Sequence, residues 1–208
     1  TRRSSDLGTL TKNLTGVQIQ CAQCHDHPYE DAWKQETFTG VASFWAGVQV
    51  RINNRVLPVD PSVEDGGRAI RTPSKEQMEK LPVDAQNRLN DLARFNNPVT
   101  LDGMALKTKD RRFWRPALAK WMVADENKQT ARYIANRFWS YAFGIGILNP
   151  IDDFNSFNEA SHPELLEFLA QDLIDSKYDI KRLYRAILNS KTYQLSGVGP
   201  DKKAEHWH

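Results

Sequence analysis

Cys21-Ala22-Gln23-Cys24-His25-Asp26-His27-Pro28 is the stretch around which the rest of the chain has to be arranged. It holds both cysteines of the protein and two of its five histidines. Two cysteines separated by two residues and followed at once by histidine form the pattern for covalent attachment of a c-type haem. The chemistry needs that spacing. Each thiol adds across one vinyl group of the porphyrin, and the adjacent imidazole then reaches the iron from the same side. Cys21 and Cys24 are the candidate thioether anchors, and His25 is the candidate proximal iron ligand.

Two other chemistries use the same residue types. Thiolate and imidazole hold zinc at tetrahedral geometry, and a Cys-x2-Cys pair can be a redox dithiol. Zinc sites usually set their second ligand pair a dozen or more residues away, whereas here His25 and His27 crowd against Cys24. No further cysteine exists to complete a site of four thiolates, or of three thiolates and an imidazole. A dithiol of the thioredoxin kind needs a strand before it and a helix after it, and that setting is not visible. Haem c is the expected cofactor, with zinc at the Cys/His cluster as the alternative. His27 is too near His25 in sequence to reach the far face of the same haem readily. It is a candidate for a second metal or for a hydrogen bond near the propionates, against simple packing at the next turn.

The sixth iron position has two candidates, His162 at a helix start and Met104 beside Gly103 in an irregular stretch; a methionine there raises the potential. Met78 and Met122 lie at helical spacing, which is ordinary for core residues. Asp152-Asp153 is a candidate cation site with Asp26 or Glu164, against the plainer reading of acidic residues in a turn. Arg111, Arg112 and Arg115 are candidates to grip haem propionates bidentately, against a solvated helix start.

Composition sets the limits. The 208 residues are 40% hydrophobic, enough for one sizeable core or two small ones. A net charge of +2 does not by itself imply a nucleic-acid partner, and none is expected. No run of eighteen apolar residues is present, so no transmembrane segment is expected. The opening Thr1-Arg2-Arg3-Ser4 lacks an initiator methionine and reads as the middle of a longer chain. Thioether attachment would put the protein in the periplasm or another extracytoplasmic compartment. Its partner would be a redox protein or other domains of the same longer chain.

Outward from the Cys motif, residues 6–20 carry Leu7, Leu10, Leu14 and Val17 at helical spacing. Residues 37–48 place Phe38, Val41, Phe44 and Trp45 on one face, as core or as a wall for a porphyrin edge. Alternation over 48–59, with Asn53-Asn54 as the turn, predicts a short β-hairpin. Residues 60–73 read as a surface loop, 74–95 as a weak helix broken at Pro82, and 96–109 as irregular. Helices follow over 111–123 and 130–143, the second closed by Gly144-Ile145-Gly146. Asn149 to Phe154 is a turn. Ser161-His162-Pro163-Glu164 reads as a capping box with proline early in the helix, and a last helix spans 180–189. The expected architecture is mainly α. An irregular, haem-bearing first half with a short β-hairpin occupies 1–108, and a compact four-helix second half occupies 109–208.

Several of these stretches resemble a known pair of families. The run from Gly16 to Tyr29, with Cys21, Cys24, His25 and His27 at its centre, is similar to the signature of DUF1549, found in planctomycete cytochrome-c-like proteins. Asn136-Arg137-Phe138-Trp139, Phe143 to Ile147, Pro150 to Phe154, Ser161 to Leu166 and Asn189 to Ser196 resemble its usual companion, DUF1553. The resemblance implies an exported protein, often large and multidomain, and supplies no reaction. The expected function is mono-haem electron transfer, or the haem module of a larger exported oxidoreductase. The alternative is a binding or scaffolding module with a structural zinc. A polysaccharide hydrolase has little support, because no carboxylate pair stands out as acid and base.

Overall fold

The computed structural model describes residues 2–45, 74–83, 86, 97–107 and 110–195. These residues are mainly helical, as expected. They carry no sheet. Their one β feature is an isolated antiparallel bridge between Val99 and Ala105. The β-hairpin expected over 48–59 lies outside the described residues and is not borne out among them. The chain resolves into two compact units. The first comprises Thr1–Asn13 and Val17–Asn127, and the second Leu14–Gly16 and Lys128–His208. The helix expected over 111–123 therefore belongs to the first unit.

The first unit begins with α1, Arg2–Thr15. The helical stripe in the sequence runs on to Gln20, but Gly16 adopts φ +69° and ends the helix there. The chain continues through Val17 and Ile19, both buried, into a 3-10 turn over Gln20–Gln23. α2 is Gln35–Ser43. Its apolar positions at spacing three, Phe38, Val41 and Phe44, are each 3% exposed, so these aromatics are core. Gly40 lies on the same helix at a close crossing. A Cβ there would stand 2.9 Å from Val99 Cβ, and Gly40 O accepts from Val99 N at 3.2 Å. α3 covers Lys75–Glu79. A 3-10 turn at Arg111–Phe113 leads into α4, Trp114–Met122. Phe44, Trp114, Leu118 and Trp121 form the core of this unit, with Trp45, Leu101, Leu106 and Met122 packed against them.

The second unit contains α5 (Lys128–Phe143), α6 (Pro163–Asp175), α7 (Ile180–Leu188) and α8 (Lys191–Gln194). α5 packs against both α6 and α7. Leu166, Leu169, Leu173, Leu183 and Ile187 are buried at helical spacing, so each helix turns one apolar stripe inward. Asp179 caps α7 by accepting from Arg182 N at 3.0 Å, and Ser190 caps α8 by accepting from Tyr193 N at 3.2 Å.

The capping box expected at Ser161–Glu164 does not form. His162 is the residue before the helix, its side chain makes no cap bond, and Pro163 takes the first helical position. Ser161 turns its hydroxyl to Ile147 O at 2.9 Å, and its backbone N–H donates to the same oxygen at 2.8 Å. The serine fastens the long connection between α5 and α6 and is not available to cap α6.

Asn136 anchors the other side of that connection. Fully buried on α5, its carboxamide donates to Leu148 O at 2.8 Å and accepts from Leu148 N at 2.9 Å. Gly146 leaves the room this needs. A Cβ there would sit 2.3 Å from Leu148 O and 2.9 Å from Asn136 Oδ1. The Asn149–Pro150 peptide bond next to it is cis.

Candidate functional site

The Cys motif occupies the 3-10 turn after α1 and the loop leading to α2. Ile19, just before the turn, and Ala22, within it, are fully buried. Gly8 of α1 admits the neighbouring chain, since a Cβ there would stand 2.2 Å from Gln20 Cγ. Cys24 N and His25 N both donate to Cys21 O, at 3.3 and 3.4 Å, which closes the turn around the motif. Residues three apart in a 3-10 helix lie one above the other, which suits Cys21 and Cys24 to two vinyl groups of one porphyrin. Both cysteines are exposed free thiols.

The two histidines differ in tautomer, and their hydrogen bonds decide it. His25 Nδ1 lies 2.7 Å from Asp26 O. A carbonyl only accepts, so that nitrogen carries a proton and donates it. In the neutral ring the lone pair is then on Nε2, and the ring is exposed. A metal-ligating histidine usually shows this arrangement, its remote N–H fixed to a carbonyl and its other nitrogen presented to the metal.

His27 has the opposite arrangement. Its Nδ1 accepts from Glu30 N at 3.0 Å and, more weakly, from Tyr29 N at 3.4 Å. The lone pair on Nδ1 is used, and the proton of the neutral ring sits on Nε2. Trp33 packs edge-on against the ring at 5.1 Å between centroids, and His27 N donates to Trp33 O at 2.9 Å. His27 therefore braces the loop through Nδ1 and its ring contact.

Three further residues, Asp26, Gln35 and Thr37, hold this loop. Asp26 Oδ1 accepts from Gln35 N at 3.0 Å, placing a carboxylate at the N-terminus of α2, where the helix dipole favours it. The Gln35 side chain donates to Cys24 O. Thr37 Oγ1 donates to Ala32 O at 3.0 Å. Gln35 thus ties the motif at two points, to the carbonyl of the second cysteine and to the carboxylate of the residue whose carbonyl orients His25.

The other candidates lie on other segments of the chain. Met104 lies in the first unit, in the tight turn closed by the Val99–Ala105 bridge, with its side chain exposed. Its backbone is held by Thr100, whose N–H donates to Met104 O at 3.0 Å. His162 belongs to the second unit, exposed ahead of α6, with Nδ1 3.1 Å from Ser161 Oγ. Arg112 is engaged by Asp110 at 2.7 Å, and that guanidinium, with its hydrogen bonds first, holds the Asp110 carboxyl below its usual range. Asp153 Oδ1 accepts from Asn155 Nδ2 at 3.0 Å, so this carboxylate organises its own turn. Among the described residues no three His, Cys, Asp or Glu side chains converge as a zinc or cation site requires. No helix among them is long and apolar enough to cross a membrane.

Fold and site together define a mainly helical protein with an exposed Cys-x2-Cys-His turn on a short loop between two helices. Residues 2–50 match PSCyt2, a protein of unknown function (DUF1549), and residues 114–207 match PSD1, a protein of unknown function (DUF1553). The chain carries the DUF1549/DUF1553 pair that its motifs resembled. No curated protein and no solved structure matches it.

Proposed function

We infer that the Cys-x2-Cys-His turn is the attachment site of a c-type haem, and that the protein serves electron transfer, alone or as the haem module of a larger exported oxidoreductase. The observation that carries this reading is the His25 Nδ1–H bond to Asp26 O, which leaves Nε2 as an exposed base beside two exposed free thiols. The residues present fit the group. Cys21 and Cys24 would form the thioethers and His25 Nε2 would bind the iron. When bound, haem supplies a one-electron ferric/ferrous couple whose potential follows axial ligation, hydrogen bonding and burial.

The chain's own contribution is positioning. Asp26 O fixes the plane and tautomer of His25. Gln35 fixes the loop from which that carbonyl projects. Met104 and His162 are the candidates for the sixth position. The partner in this reading is a redox protein or further domains of a longer chain, in an extracytoplasmic compartment where thioether attachment occurs.

The test is a spectrum. Protein made in an export-competent host with haem-maturation machinery should show a Soret band that stays with the polypeptide after acid–acetone extraction. Replacing Cys21 and Cys24 by alanine should make the colour extractable. A colourless wild-type protein from that host contradicts the reading.

A further inference from the structure

Tyr133, Arg137 and Tyr141 follow one another at intervals of four on α5, which stacks them on one face of the helix. Arg137 Nε donates to Tyr141 Oη at 2.8 Å, and Nη1 donates to Tyr133 Oη at 2.5 Å. The guanidinium carbon lies 5.7 and 5.9 Å from the centroids of the two rings. Tyr133 is 2% exposed and packs edge-on against Phe154 at 6.5 Å, so one end of the clamp is seated in the packed interior. Tyr141 is 58% exposed, so the other end faces water.

The neighbouring arginines of the same unit meet carboxylates. Arg132 pairs with Glu167, and Arg182 with Asp172 at 2.6 Å. Arg137 makes no ion pair among the described residues. Two of its five N–H groups go to the phenols, which carry no charge. The remaining three, one on Nη1 and both on Nη2, meet no acceptor among the described residues, and a guanidinium edge with two such N–H groups can hold a planar oxyanion with two parallel bonds. A guanidinium already fixed in place loses little freedom when it binds.

We propose that Arg137, clamped between Tyr133 and Tyr141, is a binding site for the carboxylate of a small organic acid. One positive charge matches one carboxylate. The site is independent of the haem reading, since it uses none of the same residues.

Nitrogen-15 NMR of the full chain, with the Arg137 Nε–H resonance as reporter, tests this at constant ionic strength. Sodium benzoate should shift that resonance along a saturable curve. Inorganic phosphate should bind no more tightly than benzoate. Tyr141→Phe removes an exposed hydroxyl and should keep the fold while weakening benzoate about three- to tenfold, because the guanidinium is no longer pre-oriented. Arg137→Lys should abolish saturation at the Tyr133 and Tyr141 amides. A linear or absent response in the unmodified protein overturns the site, as does saturation that survives Arg137→Lys. Tighter binding of phosphate than of benzoate overturns the assignment to carboxylate.

Discussion

In the first unit, the loop after the Cys motif hangs on the half-buried imidazole of His27 and the side chain of Gln35. In the second, the connection after α5 hangs on the carboxamide of Asn136, which has no exposure at all. Both are polar side chains replacing the backbone ladder in an irregular segment. Their surroundings differ. Water can take over from His27 and Gln35 when either is lost, but it cannot reach Leu148 once Asn136 is gone. The second loop is thus built for rigidity, while the first keeps two thiols and an imidazole in contact with solvent. A site that must accept a reactant is better placed in the first.

The largest effect should come from Asn136→Ala. It leaves both the N–H and the C=O of Leu148 buried without that partner, and should cost about 3 kcal/mol. Denaturant unfolding followed by tryptophan fluorescence would measure it, and a loss under about 1 kcal/mol on the same scale would remove the distinction between the loops.

Two glycines sharpen the comparison, because the Cβ of an alanine would be nearly as crowded at each, 2.2 Å at Gly8 and 2.3 Å at Gly146. At Gly146 the obstacle is the carbonyl of Leu148, held by Asn136, so Gly146→Ala should cost about 2 kcal/mol. At Gly8 it is the Gln20 side chain, which can swing away, and alanine gains roughly 1 kcal/mol of helix propensity. Gly8→Ala should therefore be close to neutral. Equal melting-temperature losses for the two variants would mean the Gln20 end of the Cys turn is as rigid as the second loop.

His27→Asn and His27→Phe separate the two roles of that ring. Asparagine keeps an acceptor for Glu30 N, while phenylalanine keeps the contact with Trp33. Loss of the acceptor should cost about 1 kcal/mol in the phenylalanine variant. Neither change should lower haem incorporation if His25 alone carries the iron. Loss of colour in His27→Asn would make His27 a ligand.

The smallest effect is expected at Asp102. Partial burial pulls its carboxyl upward, but hydrogen bonds from Thr100, Trp121 and the Met104 N–H outweigh this and hold it below its ordinary value. A depressed folded-state pKa contributes stability above the unfolded value of about 3.9. That contribution disappears as pH falls through the folded pKa. The acid limb of the stability curve should flatten in Asp102→Asn, and an unchanged limb would show that the bonds to Asp102 do not matter to stability.

Much of this was legible in the sequence. The helices over 130–143 and 180–189, and the one that follows Pro163, could be placed because each carries an apolar stripe at helical spacing. The overrun of α1 past Gly16 has a local cause. Val17 and Ile19 continue the apolar pattern, yet they are buried from an irregular segment, which periodicity alone does not distinguish. The Cys-His motif was readable as chemistry, but its support was not. Gln35 and Trp33 act on it through folding back of the loop, and no spacing rule announces that. The Tyr133–Arg137–Tyr141 clamp did leave a signal, tyrosines four residues to either side of an arginine. It was hidden inside a stretch that reads first as an apolar stripe. Asn136 was hidden for the opposite reason, since a single asparagine in a helix ordinarily faces water.

The central claim is that Cys21 and Cys24 carry porphyrin covalently and that His25 binds its iron. Intact-mass spectrometry of the protein from an export-competent, haem-maturing host tests it most directly. The account predicts the mass of the polypeptide plus one haem. A mass equal to the polypeptide alone would contradict it.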